Sequence, residues 1–234
     1  MNRFLITIFS LWSFLLTAQQ NISLDSLYKP DPYYLEDQFY FGLSYINLKN
    51  LPDNLTQNGF SNSIKFGYIR DLPVNERRNL GFGMGIGMSW DSYFQNLRIS
   101  VDEETGQIIY KVLGEADSFH SNSFTLTKID FPLEFRWRGS TPEKFKFWRF
   151  YAGPVISYVV GTSSEYVTEK VHIKYKDIQI IDSWQTGISL SVGYGTWNFN
   201  YYYGLSNIVK KDLKIEGQKL VIKDMRFGFV YYFL

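Results

Sequence analysis

The chain has 234 residues, a formal net charge of +1 and 20% charged residues, so no basic excess points to nucleic acid. It has no cysteine, which excludes both a disulfide framework and a lipidated N-terminal cysteine. Aromatic residues reach 19% while the mean hydropathy is only −0.19, so the rings do not belong to a generally apolar chain.

Met1-Asn2-Arg3, an apolar run from Phe4 to Ala18 and then Gln19-Gln20 predict a secretory signal peptide over residues 1–18, cleaved near Ala18. The run falls short of the roughly 20 residues a spanning helix needs, and nothing basic follows it. Residues 19–37, with Pro30 and Pro32, read as an extended periplasmic leader. After Ala18 no apolar run is long enough for a membrane helix.

Over residues 38–234, segments with a period of two follow one another. Phe39, Phe41, Leu43 and Tyr45 share a face in the first; the second runs through Ile64-Lys65-Phe66-Gly67-Tyr68. In the third, Leu80, Phe82, Met84, Ile86, Met88 and Trp90 alternate with Gly81, Gly83, Gly85, Gly87, Ser89 and Asp91. The fourth sets Ile129, Phe131, Leu133, Phe135 and Trp137 against Asp130, Pro132, Glu134, Arg136 and Arg138. The fifth, roughly 148–161, aligns Phe150, Ala152, Ile156, Tyr158 and Val160. The sixth puts Trp184, Ile188, Leu190, Val192 and Tyr194 opposite Gln185, Gly187, Ser189 and Ser191. The seventh sets Trp197, Phe199, Tyr201, Tyr203 and Leu205 against Asn198, Asn200, Tyr202 and Gly204. The last sets Met225, Phe227, Phe229, Tyr231 and Phe233 against Arg226, Gly228, Val230 and Tyr232. Alternation sustained over such lengths predicts strands.

In a soluble sandwich the face opposite the core meets water and would carry Lys, Glu and Thr. Here it is Gly, Ser and Asn with a few charges, which suits the narrow interior of an eight-stranded barrel. The aromatic and aliphatic face then looks at lipid, and closure leaves no edge unpaired. The connections alternate long and short, near 49–60, 71–79, 92–121, 139–147, 162–180, 195–196 and 207–221. With the N-terminus in the periplasm, every long one falls outside, the outer-membrane habit. Trp90 and Trp184 fall at outer strand ends and Trp137, Trp148 and Trp197 at inner ends, as two membrane interfaces would select. The expected fold is all-β: an eight-stranded antiparallel up-and-down transmembrane β-barrel with long extracellular loops, in a Gram-negative outer membrane.

Ile129-Asp130-Phe131-Pro132-Leu133-Glu134-Phe135-Arg136-Trp137, Phe150-Tyr151-Ala152-Gly153-Pro154 and Tyr202-Tyr203-Gly204-Leu205-Ser206-Asn207-Ile208 resemble three strands of the PorT-type outer-membrane β-barrel (porin-like) domain family. Tyr231-Tyr232-Phe233-Leu234 resembles a barrel-assembly signal, although Leu234 follows the usual terminal aromatic. The resemblance spans essentially the whole mature chain. It implies a barrel, and a role accessory to secretion, as in type IX systems, or to envelope assembly.

Candidate chemistry is sparse. Gly81 to Gly87 places Gly at every second residue within a strand, not at the strand-to-helix turn of a dinucleotide fingerprint, so it reads as a small lumen face. The two histidines, His120 and His172, fall at predicted loop positions. Ser121 and Ser123, at offsets of one and three from His120, would face away from it in a strand, so no hydrolase pair, catalytic residue, metal ligand or cofactor is expected. Lys65, Asp130, Glu134, Arg136, Arg138, Arg149 and Arg226 project into the barrel or its periplasmic mouth on this register. Charges held there must pair, so Asp130 and Glu134 are expected to bridge Arg136, Arg226 and Lys65, as a structural plug or as a gate. Leu97 to Val112 around Glu103-Glu104-Thr105-Gly106 predicts a hairpin above the membrane, and residues 165–181 alternate as well. These extensions make either a taller barrel or edges for a partner.

The function expected is that of a non-enzymatic structural or accessory component of an envelope machine, with a passive small-solute porin as the alternative. Its expected partners are outer-membrane lipid and lipopolysaccharide, and another envelope protein reached through the outer loops or the barrel wall.

Overall fold

A computed structural model describes residues 37–52, 54–102, 108–114, 116–139, 147–210, 214–215 and 217–233. The predicted signal peptide and all but the last residue of the predicted leader lie outside the described residues, as does the turn of the predicted hairpin.

In chain order the strands are β1 (Gln38–Lys49), β2 (Asn62–Pro73), β3 (Leu80–Phe94), β4 (Leu97–Val101), β5 (Ile108–Val112), β6 (Ser121–Arg138) and β7 (Trp148–Val167). They continue with β8 (His172–Lys176), β9 (Trp184–Tyr194), β10 (Trp197–Gly204), β11 (Lys214–Ile215), β12 (Gln218–Lys219) and β13 (Lys223–Phe233). Eight of them form a ring in the order β6-β3-β2-β1-β13-β10-β9-β7, which closes through β6–β7. Every ring pairing is antiparallel and joins members of the ring that are consecutive in chain order, β4, β5, β8, β11 and β12 lying outside it, apart from β1–β13, which joins the first to the last. The fold is therefore a closed eight-stranded up-and-down barrel, with every strand edge of the ring satisfied.

Side-chain alternation is inside-out over most of the strand length. Phe39, Leu43, Ile86 and Phe229 point outward at 50%, 51%, 54% and 58% exposure, whereas Tyr40, Ser89, Asn200 and Arg136 are buried in the lumen. Glycine makes room for the larger inward groups: a Cβ on Gly83 would meet Arg136 Nε at 2.7 Å, and one on Gly67 would meet the Tyr40 hydroxyl at 2.6 Å. The connections at one end are short (74–79, 139–147 and 195–196), and those at the other are long (50–61, 95–120, 168–183 and 205–222).

Near the long-loop end the polarity reverses. Ile46 and Leu48 of β1, Tyr93 of β3 and Phe124 and Leu126 of β6 point inward and are buried, while Asn47, Lys49, Ser92, Thr125 and Thr127 point outward. Leu55, Leu97, Ile99, Ile178, Ile180, Ile208, Val209, Leu220 and Ile222 pack with them into one apolar cluster. All four long connections thus fold into a cap over that mouth of the barrel. Asparagines satisfy the loop backbone inside it. Asn96 Nδ2 donates to the Asn54 and Leu113 carbonyls, each at 3.0 Å, and Asn207 Nδ2 donates to those of Val209 and Leu220 at 2.7 and 3.1 Å.

The expected hairpin forms as β4–β5, pairing Leu97 with Val112 through Val101 with Ile108. β6 and β7 run further than the alternation in polarity predicts, reaching Ser121 and Val167, and β8 adds to the outer part of β7. A bulge between Thr127 and Lys128 marks the start of this outer extension.

Candidate functional site

The inward-facing polar groups form three tiers along the lumen. Nearest the cap, Asp91 is ion-paired with Lys128 and accepts from Arg226 Nη1 at 2.9 Å. Arg226 also holds Asp224 Oδ2 through Nε at 2.6 Å and Nη2 at 2.5 Å, and its guanidinium lies 4.6 Å from the centre of the Tyr202 ring. Two cations meet two carboxylates in this tier, so burial leaves no net charge among them.

In the middle tier Lys65 Nζ donates to Asn200 Oδ1 at 2.9 Å, and Asn200 Nδ2 donates to Ser189 Oγ and Ser191 Oγ at 2.8 and 2.9 Å. Asp130 accepts from Ser157 Oγ at 2.5 Å. Lys65 and Asp130 both line two lumen cavities of about 30 Å³ each, on the scale of a single water.

Toward the short-turn end, Arg136 is fully buried; its Nε donates to Glu134 Oε2 at 3.0 Å and its Nη1 stands 3.8 Å from Asp71. Its guanidinium stacks 4.3 Å from the centre of the Tyr151 ring, with Tyr232 beside it at 5.7 Å. Arg138 is ion-paired with Asp71 and donates through Nη2 to the Arg78 carbonyl at 3.2 Å, and Arg149 lies 4.6 Å from the centre of the Phe147 ring. Side chains therefore fill the barrel at this end, as the apolar cap does at the other.

All seven charged residues singled out in the sequence face inward, but their pairing differs from expectation. Glu134 meets Arg136; Asp130 binds Ser157, and Arg226 is held by Asp91 and Asp224 instead. The cause is level: Arg226 pairs in register with Ile46 and Tyr202, beside the cap, whereas Glu134 stands opposite Gly83, toward the short turns. Asp71, Asp91, Lys128 and Asp224 were missed as partners. Asp91 already stood on the inward face of the third segment; Lys128 and Asp224 lie one inward step from Asp130 and Arg226, and Asp71 two steps beyond Gly67, so extending the period finds them.

Of the five tryptophans expected at the interfaces, Trp137, Trp148 and Trp197 lie outward beside the short turns, and Trp184 lies outward at the level of Tyr158. Trp90 stacks on Phe66 at 5.8 Å. Trp90 and Trp184 mark the level above which the outward face becomes polar. His172 Nε2 and Glu165 Oε1 are 2.6 Å apart on the exposed β7–β8 extension, and His120 is exposed in the loop before β6. Neither contacts a serine in any bond found among the described residues.

Residues 18–210 match the model of a family described as the outer membrane protein beta-barrel domain. No curated protein matches. Among solved structures the chain is similar to Ail, the attachment invasion locus protein of Yersinia pestis, at 12% identity and a TM-score of 0.30, covering 84% of this chain and 97% of Ail. Ail in complex with the heparin analogue sucrose octasulfate gives 10% identity and 0.29, covering 85% and 99%. A structure from work on asymmetric conductivity of engineered proteins gives 10% and 0.19, covering 86% and 99%. The chain belongs to the outer membrane protein beta-barrel domain family, and it crosses the outer membrane with the eight strands of its closed barrel.

Proposed function

We propose that this barrel is a non-conducting structural or accessory component of an envelope machine, serving protein secretion of the type IX kind or outer-membrane protein assembly. The observation that carries this reading is the filled lumen, with three tiers of paired side chains beneath an apolar cap to which every long loop contributes. A passive porin needs a continuous aqueous path, and cavities of about 30 Å³ do not make one. The likeness of the Pro132-Leu133 and Ala152-Gly153-Pro154 stretches to PorT-type barrels supports the accessory role. Residues 1–18 would direct export. The outer extension β6–β7–β8, with exposed Lys170, Lys174 and Lys176, would meet lipopolysaccharide phosphates or a protein partner above the membrane.

Two measurements test the reading together. The purified barrel in a planar bilayer is expected to give no steady single-channel current, and the tagged barrel extracted in mild detergent is expected to carry a stoichiometric envelope protein. A steady conductance lowered by enlarging the inward residues would establish the porin instead. An isolated, non-conducting monomer would remove the machine component.

A further inference from the structure

The two resemblance-bearing stretches, Pro132-Leu133 and Ala152-Gly153-Pro154, meet across the β6–β7 seam. Register pairing there runs from Asp130 with Ser157 to Pro132 with Val155 and resumes at Phe135 with Ala152, so Leu133 and Glu134 are unpaired with Gly153 and Pro154. The β3–β6 ladder is interrupted beside it, between Met84 with Leu133 and Gly87 with Asp130. Proline supplies no N–H to a ladder, and one proline falls in each gap: Pro154 in the β6–β7 seam and Pro132 in the β3–β6 ladder. The backbones still approach closely: a Cβ on Gly153 would stand 2.9 Å from the Leu133 carbonyl carbon and 3.0 Å from Glu134 Cα.

Outside this break the barrel wall carries a notch of about 390 Å³, walled by Phe82 and Met84 of β3 and Leu133 and Phe135 of β6 and floored by Ala152 to Pro154. Neighbouring outward positions are large, with Phe150 and Ile156 on the same strand and Ile188 and Leu190 on the next. Small outward residues therefore leave a recess in an otherwise bulky belt. Its size falls in the range of small-molecule sites, about 300–1,000 Å³.

We propose that this notch seats one acyl chain of a phospholipid from the periplasmic leaflet. The notch lies within the bilayer-facing wall, on the side of the short turns, which face the periplasm in such barrels. Phe135 and Ala152 stand one outward position above Trp137 and Phe150, and Trp148 lies one position below Phe150. The indoles place the headgroup level just beneath the notch, so a chain rising from a headgroup there into the bilayer enters it at once. An apolar recess within hydrocarbon has no partner for water and loses dispersion contacts unless a chain fills it. The seat is a property of the barrel wall and does not depend on the accessory role proposed above.

The experiment uses the full chain extracted from outer membranes in mild detergent, with dipalmitoyl phosphatidylethanolamine added as probe and retained lipid read by native mass spectrometry. The wild type is expected to keep one lipid per barrel. Ala152→Phe, which fills the notch from its floor, is expected to lower the retained fraction about tenfold by steric exclusion. Leu43→Phe, placing the same ring on the distant β1 wall, is expected to match the wild type. Heat-dependent gel mobility checks folding; should Ala152→Phe fail to fold, Ala152→Leu is read in its place. Equal retention by the filled variant, or no retained lipid in the wild type, overturns the proposal. So does a barrel dimer that Ala152→Phe dissociates, because a second copy is then the occupant.

Discussion

Below the level of Trp90 and Trp184 the barrel turns rings and aliphatic side chains outward and keeps its polar groups inside; above that level the arrangement is reversed. Phe41, Leu43 and Tyr45 of β1 look outward, but Ile46 and Leu48 of the same strand look inward and are buried. The backbone is continuous across the change, and so is the pairing of β1 with β13 from Phe39 to Lys49. What differs is the solvent. Hydrocarbon accepts apolar groups on the outer face and leaves polar side chains to satisfy one another within, whereas water above the membrane rewards an apolar interior. The band is held by matched charges and hydrogen bonds, the cap by burial, so the two should fail in different ways.

The largest effect is expected from breaking a charge match in the band. Arg226→Met removes the cationic partner of the buried Asp224 and one of the two that Asp91 has, leaving Asp91 only Lys128. Leaving a buried carboxylate such as Asp224 uncompensated costs about 3–5 kcal/mol. Urea unfolding of the barrel in lipid vesicles, followed by tryptophan fluorescence, should show that loss; an unchanged midpoint would mean the lumen tier contributes nothing. In the cap the corresponding lesion is a void. Leu126 is fully buried in the apolar cluster, and Leu126→Ala should cost about 2–5 kcal/mol. It should also raise hydrogen exchange in the β4–β5 hairpin, which rests on the same cluster through Leu97 and Ile99.

A single residue type placed outward on each side of the boundary sharpens the contrast. Ile86→Arg introduces a charge on the outward face deep within the band, where the penalty is about 2–4 kcal/mol. Thr125→Arg sits outward on β6 above the boundary and should change stability by no more than about 0.5 kcal/mol. Equal costs for the two in the same vesicle assay would remove the boundary from between them.

The same contrast decides how much the sequence disclosed. In the band each strand position is constrained on both faces, so Leu80 to Asp91 states its direction residue by residue, and the strand count, ring order and side-chain facing follow. The cap is assembled from residues that no period connects: Leu55, Leu97, Ile178 and Val209 come from four separate connections and meet only in space. Where strands enter it, their polarity inverts, which is why β6 and β7 outrun the predicted segments. The lumen charges fall between these cases. Alternation assigns each one inward, but its partner depends on the relative level of strands around the ring, so Arg226 meets Asp91 of β3 rather than Asp130 of β6.

The smallest effect is expected at the outer edge of the cap, where Asp117 accepts from Lys111 Nζ at 2.6 Å and from the Gly114 amide at 3.1 Å. The bond from Lys111, and then that from Gly114, holds the Asp117 carboxyl below its ordinary value. A depressed folded value gives support that is complete above the unfolded pKa of about 3.9 and is lost as pH falls through the folded value. At neutral pH the contact is therefore at full strength, but it is exposed to solvent and spans only one turn of loop. Asp117→Asn should speed exchange of the Gly114 amide at neutral pH and leave the vesicle unfolding midpoint in place. In the wild type the same amide should loosen only below about pH 4, as the carboxylate is protonated. A shifted global midpoint in Asp117→Asn would mean that the rim is coupled to the barrel through charge, and that the cap is not held by burial alone.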